Sequence, residues 1–337
     1  MKRAAVIGLG TISKTHIDAI LADPDVKLCA ACDIDPEKQG KIPEDIPFYE
    51  DYHVMLKQEK PDCVHICLPH YLHVPVSMEA AELGIHVFCE KPVALNVPEA
   101  QKFVEFEREH PDVHIGICLQ NRRNRTVETL KEIIESGKYG RVTGCKGLVL
   151  WARPKSYYEE SPWRGKWETA GGGCMINQSV HTLDLLYYLC GNIHALKSSV
   201  SQLLDYGIEV EDTVAAKLLF ENQAQGLFFA TNANSKNESV QISVSLEEAE
   251  FSIEESCLYR TDKNGERTLI CEDEKLPGSR FYYGASHQKL IHEFYEALEK
   301  NNDHYIHVRD AWMSINLINA ILESSKRNET VIVPGRE

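Results

Sequence analysis

The chain has 337 residues and a formal net charge of −15 at pH 7, with 43% hydrophobic and 26% charged residues. This length is too great for one comfortable hydrophobic core and predicts two domains. The negative charge argues against nucleic acid as a partner, although a local basic pocket could still bind a small anion. No apolar run is long enough to cross a membrane, and the first residues lack the apolar region and cleavage site of a signal peptide.

The first 120 residues alternate short apolar strands with helical patterns, which is typical of a parallel sheet covered by helices. Strands are predicted at Ala4–Ile7, Val26–Cys32, Cys63–Leu68, His86–Cys89 and His114–Leu119. Helices are predicted at about Ser13–Ala22, Tyr52–Gln58, Val74–Leu83 and Pro98–Glu109. We therefore predict that residues 1–120 form a nucleotide-binding α/β domain.

The turn after the first strand carries Gly8 and Gly10 and leads into the first helix. Gly8 allows a tight turn, and Gly10 lets the backbone approach a pyrophosphate held at the helix N terminus. Ser13 stands where a third Gly or Ala is usual. Thr11 and Ile12, in the same turn, are assigned to the cofactor site as well.

Asp33 lies twenty positions past Ser13, at the end of the second predicted strand. A carboxylate at this position accepts hydrogen bonds from the ribose 2′-hydroxyl and repels a 2′-phosphate, so NAD is predicted in preference to NADP. The alternative is a turn or helix-capping role for Asp33, because Asp35 and Pro36 follow it.

The chain contains eleven cysteines, most of them in apolar strand-like segments that predict buried free thiols. The spacing of Cys29 and Cys32 is that of a redox or metal pair. In a strand, however, residues three apart point to opposite faces, so this role is disfavoured. The cysteines predict a reducing, cytoplasmic location.

The segment after the third strand, Leu68-Pro69-His70-Tyr71-Leu72-His73, lies at the carboxyl edge of the predicted sheet, where ligands of open α/β sheets bind. The spacing of its two histidines could suggest a metal, but the nearby sequence offers no suitable third ligand. No metal site is therefore predicted. We assign four residues of this segment to the surroundings of the cofactor, with helix capping as the alternative for the histidines: Leu68, Pro69, His70 and His73.

After Asn121 the pattern changes to long alternating strands that predict an open, mainly antiparallel sheet. The strands are predicted at Val142–Trp151, Ala195–Leu203, Thr213–Phe220, Ala224–Thr231, Val240–Leu246 and Glu250–Ile253. The helices are predicted at Thr126–Ser136, Asn177–Leu189, His287–Lys300 and Asp310–Lys326. We predict an α+β domain over residues 121–337, whose helix 310–326 could pack back on the first domain.

Two polar motifs stand out against this apolar pattern. Lys91, in Glu90-Lys91-Pro92, follows a short apolar strand of the nucleotide-binding segment, and Glu90 and Lys91 are both assigned to the cofactor site. Four later polar residues share one face of an otherwise apolar predicted helix: Asn177, His181, Asp184 and Tyr188. Each buried polar group left unpaired costs roughly 1–3 kcal/mol, so the stripe either forms a satisfied internal network or lines a ligand cavity. Its combination with Lys91 favours the ligand cavity.

Together these motifs resemble the glucose–fructose oxidoreductase / inositol dehydrogenase (Gfo/Idh/MocA) family over essentially the whole chain. The matching elements are the Gly8–Ser13 loop, Asp33, the Pro69–His73 turn, Glu90-Lys91-Pro92, Asn121-Arg122, the Gly171-Gly172-Gly173 run and His181-Thr-Leu-Asp184. The resemblance implies a Rossmann domain, an α/β domain with a large open sheet, and hydride transfer between NAD and a secondary alcohol of a sugar or polyol.

The same resemblance implies that Lys91 orients the substrate hydroxyl and that His181 is the usual proton carrier. Many family members carry a carboxylate at the position of Asn177. Because a neutral amide can bind a hydroxyl but cannot serve as a base, His181 is the better base here. Asp184 could fix the tautomer of His181. A solvated strand end for Lys91 and a purely structural His181 are the alternatives.

The chemistry agrees with these roles independently of the family. Oxidation of a secondary alcohol needs a hydride acceptor on one side of the carbon and a proton acceptor at the oxygen. A histidine with a pKa near neutrality suits the second role, and a lysine cation stabilises developing alkoxide charge.

Further residues are candidates for the substrate site. Aromatic rings stack on sugars and cations bind carboxylates or phosphates, which favours Trp163 and Arg164 before the glycine run. The remaining candidates are Asn121, Arg122, Asn177 and His287. Arginines near domain junctions also form salt bridges, so neutral and anionic sugars both remain open.

Two other functions are considered: an NAD-retaining glycosidase or epimerase that uses transient oxidation, and a non-catalytic dinucleotide sensor. For assembly, the helices can cover only one face of the second sheet, so the other face predicts a homodimer or homotetramer. Leu227, Phe229 and Val244, or their neighbours, are predicted on that open face.

Overall fold

The structure is a computed structural model that describes residues 1–274 and 286–335. It divides into two compact units, one made of Met1–Gln120 and His287–Trp312 and the other of Asn121–Ser286 and Met313–Glu337. The chain therefore returns to the first unit after residue 286, which a single boundary at residue 120 does not describe. The division into a nucleotide-binding domain of residues 1–120 and an α+β domain of residues 121–337 stays a prediction.

The first unit contains a six-stranded parallel sheet in the order β3-β2-β1-β4-β5-β6. Its strands are β1 (Lys2–Ile7), β2 (Val26–Cys32), β3 (Phe48–Tyr49), β4 (Cys63–Ile66), β5 (His86–Glu90) and β6 (Ile115–Cys118). The helices between them are α1 (Ser13–Ala22), α2 (Tyr52–Glu59), α3 (His73–Glu82) and α4 (Val97–Glu109). The predicted doubly wound α/β fold is confirmed, and only the two-residue strand β3 was too short to be predicted.

The central strands of this sheet are buried, and the loops that follow them share one edge. All residues of β4 and β6 are buried, as expected of strands covered on both faces. Because the strands run parallel, the segments that follow β1, β2, β4 and β5 leave from the same edge. That edge is where open α/β sheets bind their ligands.

The second unit contains a nine-stranded sheet in the order β14-β13-β12-β11-β7-β10-β9-β8-β15, in which only the β7–β10 pair is parallel. Its strands are β7 (Val142–Leu150), β8 (Ile193–Ser201), β9 (Thr213–Phe220), β10 (Gln225–Thr231), β11 (Gln241–Leu246), β12 (Ala249–Glu254), β13 (Cys257–Asp262), β14 (Arg267–Glu272) and β15 (Val331–Ile332). The predicted large, mainly antiparallel sheet is confirmed. Strands β13, β14 and β15 were not predicted; five of the six residues of β14 are exposed, so it lacks the alternation of a half-buried strand.

The remaining helices are α5 (Arg125–Glu135), α6 (Ser156–Glu159), α7 (Trp167–Ala170), α8 (Cys174–Asn177), α9 (Val180–Cys190), α10 (Ser286–Lys300) and α11 (Val308–Arg327). Helix α10 from His287 onward belongs to the first unit. Of α11, residues 308–312 belong to the first unit and the rest to the second. No helix in the described ranges is both long enough and apolar enough to cross a membrane.

One face of the second sheet is covered by helix α9. A Cβ on Gly147 of β7 would lie 2.8 Å from Cγ2 of Thr182 on α9, so the close approach of this helix requires glycine. On the other face, Leu227 is 48% exposed, whereas Val244 is fully buried. The prediction of Val244 on the open face is therefore wrong. In β11 the apolar residues point to the covered face, as period-two alternation requires.

Candidate active site

The loop after β1 has the geometry of a dinucleotide-binding turn. Gly8 has a φ of +92°, and a Cβ there would lie 2.6 Å from the carbonyl oxygen of Cys67, so only glycine fits. A Cβ on Gly10 would meet no atom within 4 Å. Ile12, at the N-cap of α1, has no side-chain oxygen to accept hydrogen bonds from the first helical turn. The N–H groups of that turn therefore suit a pyrophosphate.

Asp33 is buried and connects β2 to this loop. Its Oδ2 accepts a hydrogen bond from the Leu9 N–H at 2.7 Å, and its Oδ1 accepts from the Asp35 N–H at 3.0 Å. Of the two alternatives for Asp33, helix capping belongs to Asp35, which accepts from the Glu37 N–H, whereas the bond from the Asp35 N–H gives Asp33 a turn role as well. The position of this carboxylate, at the end of β2 and hydrogen-bonded to the glycine loop, fits the ribose of NAD.

Lys38 is a neighbour of Asp33 that the sequence analysis missed. Its Nζ donates to both carboxylate oxygens of Asp33, at 3.0 and 3.1 Å. Lys41 donates from Nζ to the carbonyl oxygen of Leu9 at 2.7 Å. The only feature of the sequence that could have indicated these contacts is the presence of two lysines a few residues after Asp33, at the end of β2.

The Leu68–His73 segment is tied to the segment around Pro92 by a buried histidine. In His73, Nδ1 lies 2.9 Å from the carbonyl oxygen of Pro92 and Nε2 lies 2.8 Å from that of Leu68. Burial lowers the pKa of His73. These contacts indicate a positioning role, while cofactor contacts of Leu68, Pro69, His70 and His73 stay predictions.

Glu90 precedes Lys91 and belongs to a buried row of polar side chains. Oε1 of Glu90 lies 2.8 Å from Nε2 of His16, and Nδ1 of His16 lies 2.8 Å from Nδ1 of His65. Nε2 of His65 lies 2.8 Å from the hydroxyl of Tyr295 on α10. Burial alone would raise the pKa of Glu90, but the hydrogen bond and charge of His16 outweigh it, so that pKa lies well below its usual range.

The structure brings His287, a predicted substrate residue, close to Glu90. The distance from its Nε2 to Oε1 of Glu90 is 3.8 Å, and the side chain is 5% exposed. Burial lowers the pKa of His287 to about 4, so the ring is neutral at pH 7. Direct contact with substrate stays a prediction.

One group within the described residues has the spacing of metal ligands: donor atoms of His16, Glu90 and Cys118 all lie within 4.8 Å of one another. The nitrogen and oxygen atoms are already hydrogen-bonded to each other at 2.8 Å. Burial raises the pKa of Cys118 well above its usual value and keeps the thiol protonated. This chemistry favours the hydrogen-bonded network over a metal ion.

In the second unit, the prediction of one continuous helix over Asn177–Leu189 is wrong. Helix α8 ends at Asn177 and α9 begins at Val180, so Asn177 and His181 do not share one continuous helix. The break occurs at Ser179, whose N–H and Oγ both donate to the carbonyl oxygen of Cys174 at 2.9 Å. A side chain that competes for backbone hydrogen bonds is a known cause of such interruptions.

His181 and Asp184 lie on α9 and are buried. Asp184 accepts two hydrogen bonds from Arg122, from Nε at 2.8 Å and from Nη2 at 2.6 Å. The guanidinium carbon of Arg122 also lies 4.9 Å from the centre of the Tyr188 ring. The two charges therefore neutralise each other inside the unit. Substrate contact by Arg122 and a catalytic role of Asp184 stay predictions.

Glu211 is a buried acid that the sequence analysis missed. It accepts hydrogen bonds from the N–H groups of Gly173 at 2.8 Å and Met175 at 3.0 Å, at the start of α8. Burial raises the pKa of Glu211 to about 7. A Cβ on Gly173 would lie 1.7 Å from the carbonyl oxygen of Glu211, which explains the last glycine of the run.

The other predicted substrate residues are partly exposed. Trp163 and Arg164 lie in a short helical turn before α7, and the Nη1 of Arg164 donates to the carbonyl oxygen of Tyr157 at 3.1 Å. Oδ1 of Asn121 is buried and has no hydrogen-bond partner among the described residues. Substrate contacts of all three stay predictions.

Family models match both units. Residues 2–116 match the oxidoreductase family with an NAD-binding Rossmann fold, and residues 127–252 match the GFO/IDH/MocA C-terminal domain. The chain belongs to the Gfo/Idh/MocA oxidoreductase family. Its membership and the fit of the glycine loop and Asp33 identify it as an NAD-dependent oxidoreductase.

Relatives within the Gfo/Idh/MocA family act on sugars and cyclic polyols, according to their names. The chain is 24% identical to levoglucosan dehydrogenase of Pseudarthrobacter phenanthrenivorans over 311 residues, which cover 80% of each chain. It is 25% identical to myo-inositol 2-dehydrogenase of Thermotoga maritima, over 83% of this chain and 81% of the relative.

A solved structure of the same family is similar over nearly the full length. It is the WlbA dehydrogenase from Bordetella pertussis in complex with NADH and UDP-GlcNAcA, at 28% identity and a TM-score of 0.85, covering 99% of both chains. The fold of both units is therefore that of this Gfo/Idh/MocA enzyme.

Proposed function

We propose that the protein oxidises a secondary hydroxyl of a sugar, a sugar derivative or a cyclic polyol and transfers the hydride to NAD. The observation that carries the proposal is the presence of a lysine at the edge of the NAD-binding sheet and a buried histidine on α9, in a chain of this family. The named relatives, which act on levoglucosan and myo-inositol, support this substrate class.

Bound NAD supplies the hydride acceptor. In the proposed mechanism, the ammonium of Lys91 binds and orients the substrate hydroxyl and stabilises its developing negative charge. His181 takes the hydroxyl proton while the hydride leaves the same carbon, so one hydroxyl becomes one carbonyl. Asn177 donates or accepts a hydrogen bond to a neighbouring hydroxyl.

Asp184 supports His181 indirectly in this proposal. Because Arg122 engages both of its oxygens, Asp184 is held in one orientation on the same helix as His181. The salt bridge fixes the helix turn that carries the base. Loss of either partner would leave one buried charge uncompensated.

The experiment that tests the proposal is a substrate screen. The purified enzyme is incubated with NAD and a panel of neutral sugars, inositols, sugar acids and nucleotide sugars, and NADH formation is followed by absorbance. We expect sustained NADH formation with at least one sugar or polyol. If denatured enzyme releases tightly held NAD and no substrate gives net NADH, the NAD-retaining glycosidase or epimerase replaces the dehydrogenase.

A homodimer, or a tetramer built from dimers, forms part of the same proposal. Leu227 and Leu219, 48% and 39% exposed, lie on the open face of the second sheet and support association there. A cytoplasmic location is also proposed, because all eleven cysteines are free and ten of them are buried.

A further inference from the structure

Two arginines of the second unit lie against the ring of Tyr157. The guanidinium carbon of Arg153 is 5.4 Å from the ring centre, and that of Arg164 is 4.2 Å away. Each arginine also lies over a tryptophan, Arg153 over Trp151 at 4.8 Å and Arg164 over Trp163 at 5.6 Å. The aromatic faces thus hold two positive charges close together. We call Arg153 and Arg164 the arginine pair.

Hydrogen bonds leave the same edge available in both guanidinium groups. Nη1 of Arg153 donates to the carbonyl oxygen of Ala152 at 2.9 Å and to Oδ1 of Asn237 at 3.0 Å. Nη1 of Arg164 donates to the carbonyl oxygen of Tyr157 at 3.1 Å. Within residues 1–274 and 286–335, the Nε and Nη2 atoms of the pair donate to no protein atom. That edge is the planar fork that binds carboxylate or phosphate through two parallel hydrogen bonds.

The arginine pair also differs from Arg141 and Arg267 of this unit in having no acidic partner among the described residues. Arg141 forms a salt bridge with Glu247, and Arg267 forms one with Glu254. In the described part of the chain, neither member of the arginine pair forms a salt bridge. Two neighbouring cations repel each other, and a chain with a net charge of −15 has ample carboxylates to neutralise them. Their lack of acidic partners therefore favours an external anion.

The arginine pair is connected to the segment that carries the proposed substrate residues. Nε2 of Gln178 donates to the Tyr157 hydroxyl at 2.8 Å. Oε1 of Gln178 in turn accepts from Nδ2 of Asn232 at 3.0 Å. Gln178 directly follows Asn177 in the chain and lies between the ends of α8 and α9. An anion held by the pair would therefore lie beside the segment that leads to His181.

We propose that Arg153 and Arg164 form an oxyanion-binding site for the carboxylate or phosphate of an anionic sugar substrate. This inference rests on the proposed function and narrows its substrate class. Trp151, Tyr157 and Trp163 keep the two guanidinium planes in place, and Asn237 fixes that of Arg153 through Nη1. The open Nε–Nη2 edges supply the charge-assisted hydrogen bonds.

The test measures binding without turnover. Glucose, glucuronate, inorganic phosphate and UDP-GlcNAcA are each titrated into the NADH-loaded enzyme, and affinity is measured by calorimetry and tryptophan fluorescence. We expect at least one anionic probe to bind about tenfold or more tightly than glucose, because charge-assisted hydrogen bonds are stronger than neutral ones. If glucuronate is the only probe that binds tightly, the site recognises a carboxylate. If inorganic phosphate and UDP-GlcNAcA both bind tightly, the site recognises a phosphate.

The variants Arg153→Gln and Arg164→Gln should weaken binding of the anionic probe about tenfold or more and weaken binding of glucose by much less. Arg164→Lys keeps the charge but loses the fork, so its affinity should be intermediate. Arg141→Gln, which removes an exposed arginine with an acidic partner, is the matched control and should bind every probe as the wild type does. Added salt should weaken binding of the anionic probe and should not change binding of glucose.

Equal affinity for glucose and all three anions would overturn the inference. The inference would also be overturned if variants of the arginine pair bound the anion with wild-type affinity, or if they lost affinity for glucose and for the anion to the same extent. The outcome is separable from the proposed function. Anion binding without NADH formation from any sugar would contradict the dehydrogenase alone, and turnover of neutral sugars without anion preference would contradict the anion site alone.

Discussion

Nε2 of His16 lies 2.8 Å from Oε1 of Glu90, and this contact begins a buried row of hydrogen bonds. An ionised carboxylate only accepts, so His16 must donate to Glu90 from Nε2. Nδ1 of His16 lies 2.8 Å from Nδ1 of His65, and Nε2 of His65 lies 2.8 Å from the Tyr295 hydroxyl, so the row extends from Glu90 to α10. The hydrogen bond from His16 and the neighbouring charge of Lys91 oppose the effect of burial, so the pKa of Glu90 is lowered and this carboxylate stays charged.

The first prediction follows from the charge coupling between Glu90 and Lys91. The charge of Lys91 contributes to the low pKa of Glu90, and the interaction is reciprocal, so Glu90 stabilises the ammonium form of Lys91. Glu90→Gln should lower the pH midpoint of Lys91 acetylation, measured by competitive labelling and mass spectrometry. Tyr295→Phe should shift it in the same direction by less.

Tyr305→Phe is the matched control, because Tyr305 also packs on Phe294 but lies outside the row. It should leave the midpoint unchanged. A midpoint in Glu90→Gln that equals the wild-type value would show that the two charges are not coupled.

The second prediction concerns the choice of cofactor. NAD should bind at least tenfold more tightly than NADP, which corresponds to about 1.4 kcal/mol, because the Asp33 carboxylate would repel a 2′-phosphate. Asp33→Ser should reduce that ratio, since the anion is removed and Lys38 loses its partner. Asp35→Ser replaces a neighbouring carboxylate with a residue that can still cap the helical turn, and it serves as control. Equal wild-type affinities for the two cofactors would mean that Asp33 does not face the ribose.

The third prediction is a dependence of stability on pH. The pKa of Glu211 is raised by burial to about 7 in the folded protein, above about 4.3 in an unfolded chain. The folded state therefore binds the extra proton, and the stability it contributes is complete below about pH 4 and lost as pH rises through 7. The free energy of unfolding should fall by up to about 3 kcal/mol over this window.

Denaturant titrations at a series of pH values measure this change. Glu211→Gln should flatten the profile between pH 4 and 7, whereas the exposed control Glu209→Gln should retain it. Identical profiles for the wild type and Glu211→Gln would contradict the assignment of the titration to Glu211.

Local patterns were sufficient to predict most of the fold. Helix Ser13–Ala22 and strand Thr213–Phe220 were predicted with the bounds that the structure shows, because periodicity and flanking turn residues lie within each segment. The break at Ser179 was not predictable from periodicity, since apolar residues continue through it. It depends on a hydrogen bond to Cys174 that competes with the helix.

The partners within the candidate site could not be predicted, because they are distant in sequence. Arg122 and Asp184 are separated by 62 positions, and His65 and Tyr295 by 230. A sequence pattern indicates which polar residues are buried, but not which of them pair. The motifs therefore identified Asp184 and Arg122 individually and missed that the two form a salt bridge.

The fourth prediction concerns assembly. Light scattering at micromolar concentration should give a particle of at least twice the 38.2 kDa chain mass. Leu227→Asp should weaken association, because it places a charge on the open sheet face. Leu203→Asp, at an exposed residue after β8, is a control of similar chemistry and should not. A wild-type particle of 38.2 kDa would contradict the oligomer.

The central claim is that Lys91 acts in the chemical step, and comparing turnover with NAD binding in Lys91→Ala tests it most directly. On the best substrate from the screen, the variant should lose about 10²–10³-fold in kcat, as for loss of one charge-stabilising donor, with NAD affinity nearly intact. Lys14→Ala, at an exposed lysine of α1, should keep wild-type values of both. Wild-type turnover in Lys91→Ala would contradict the account.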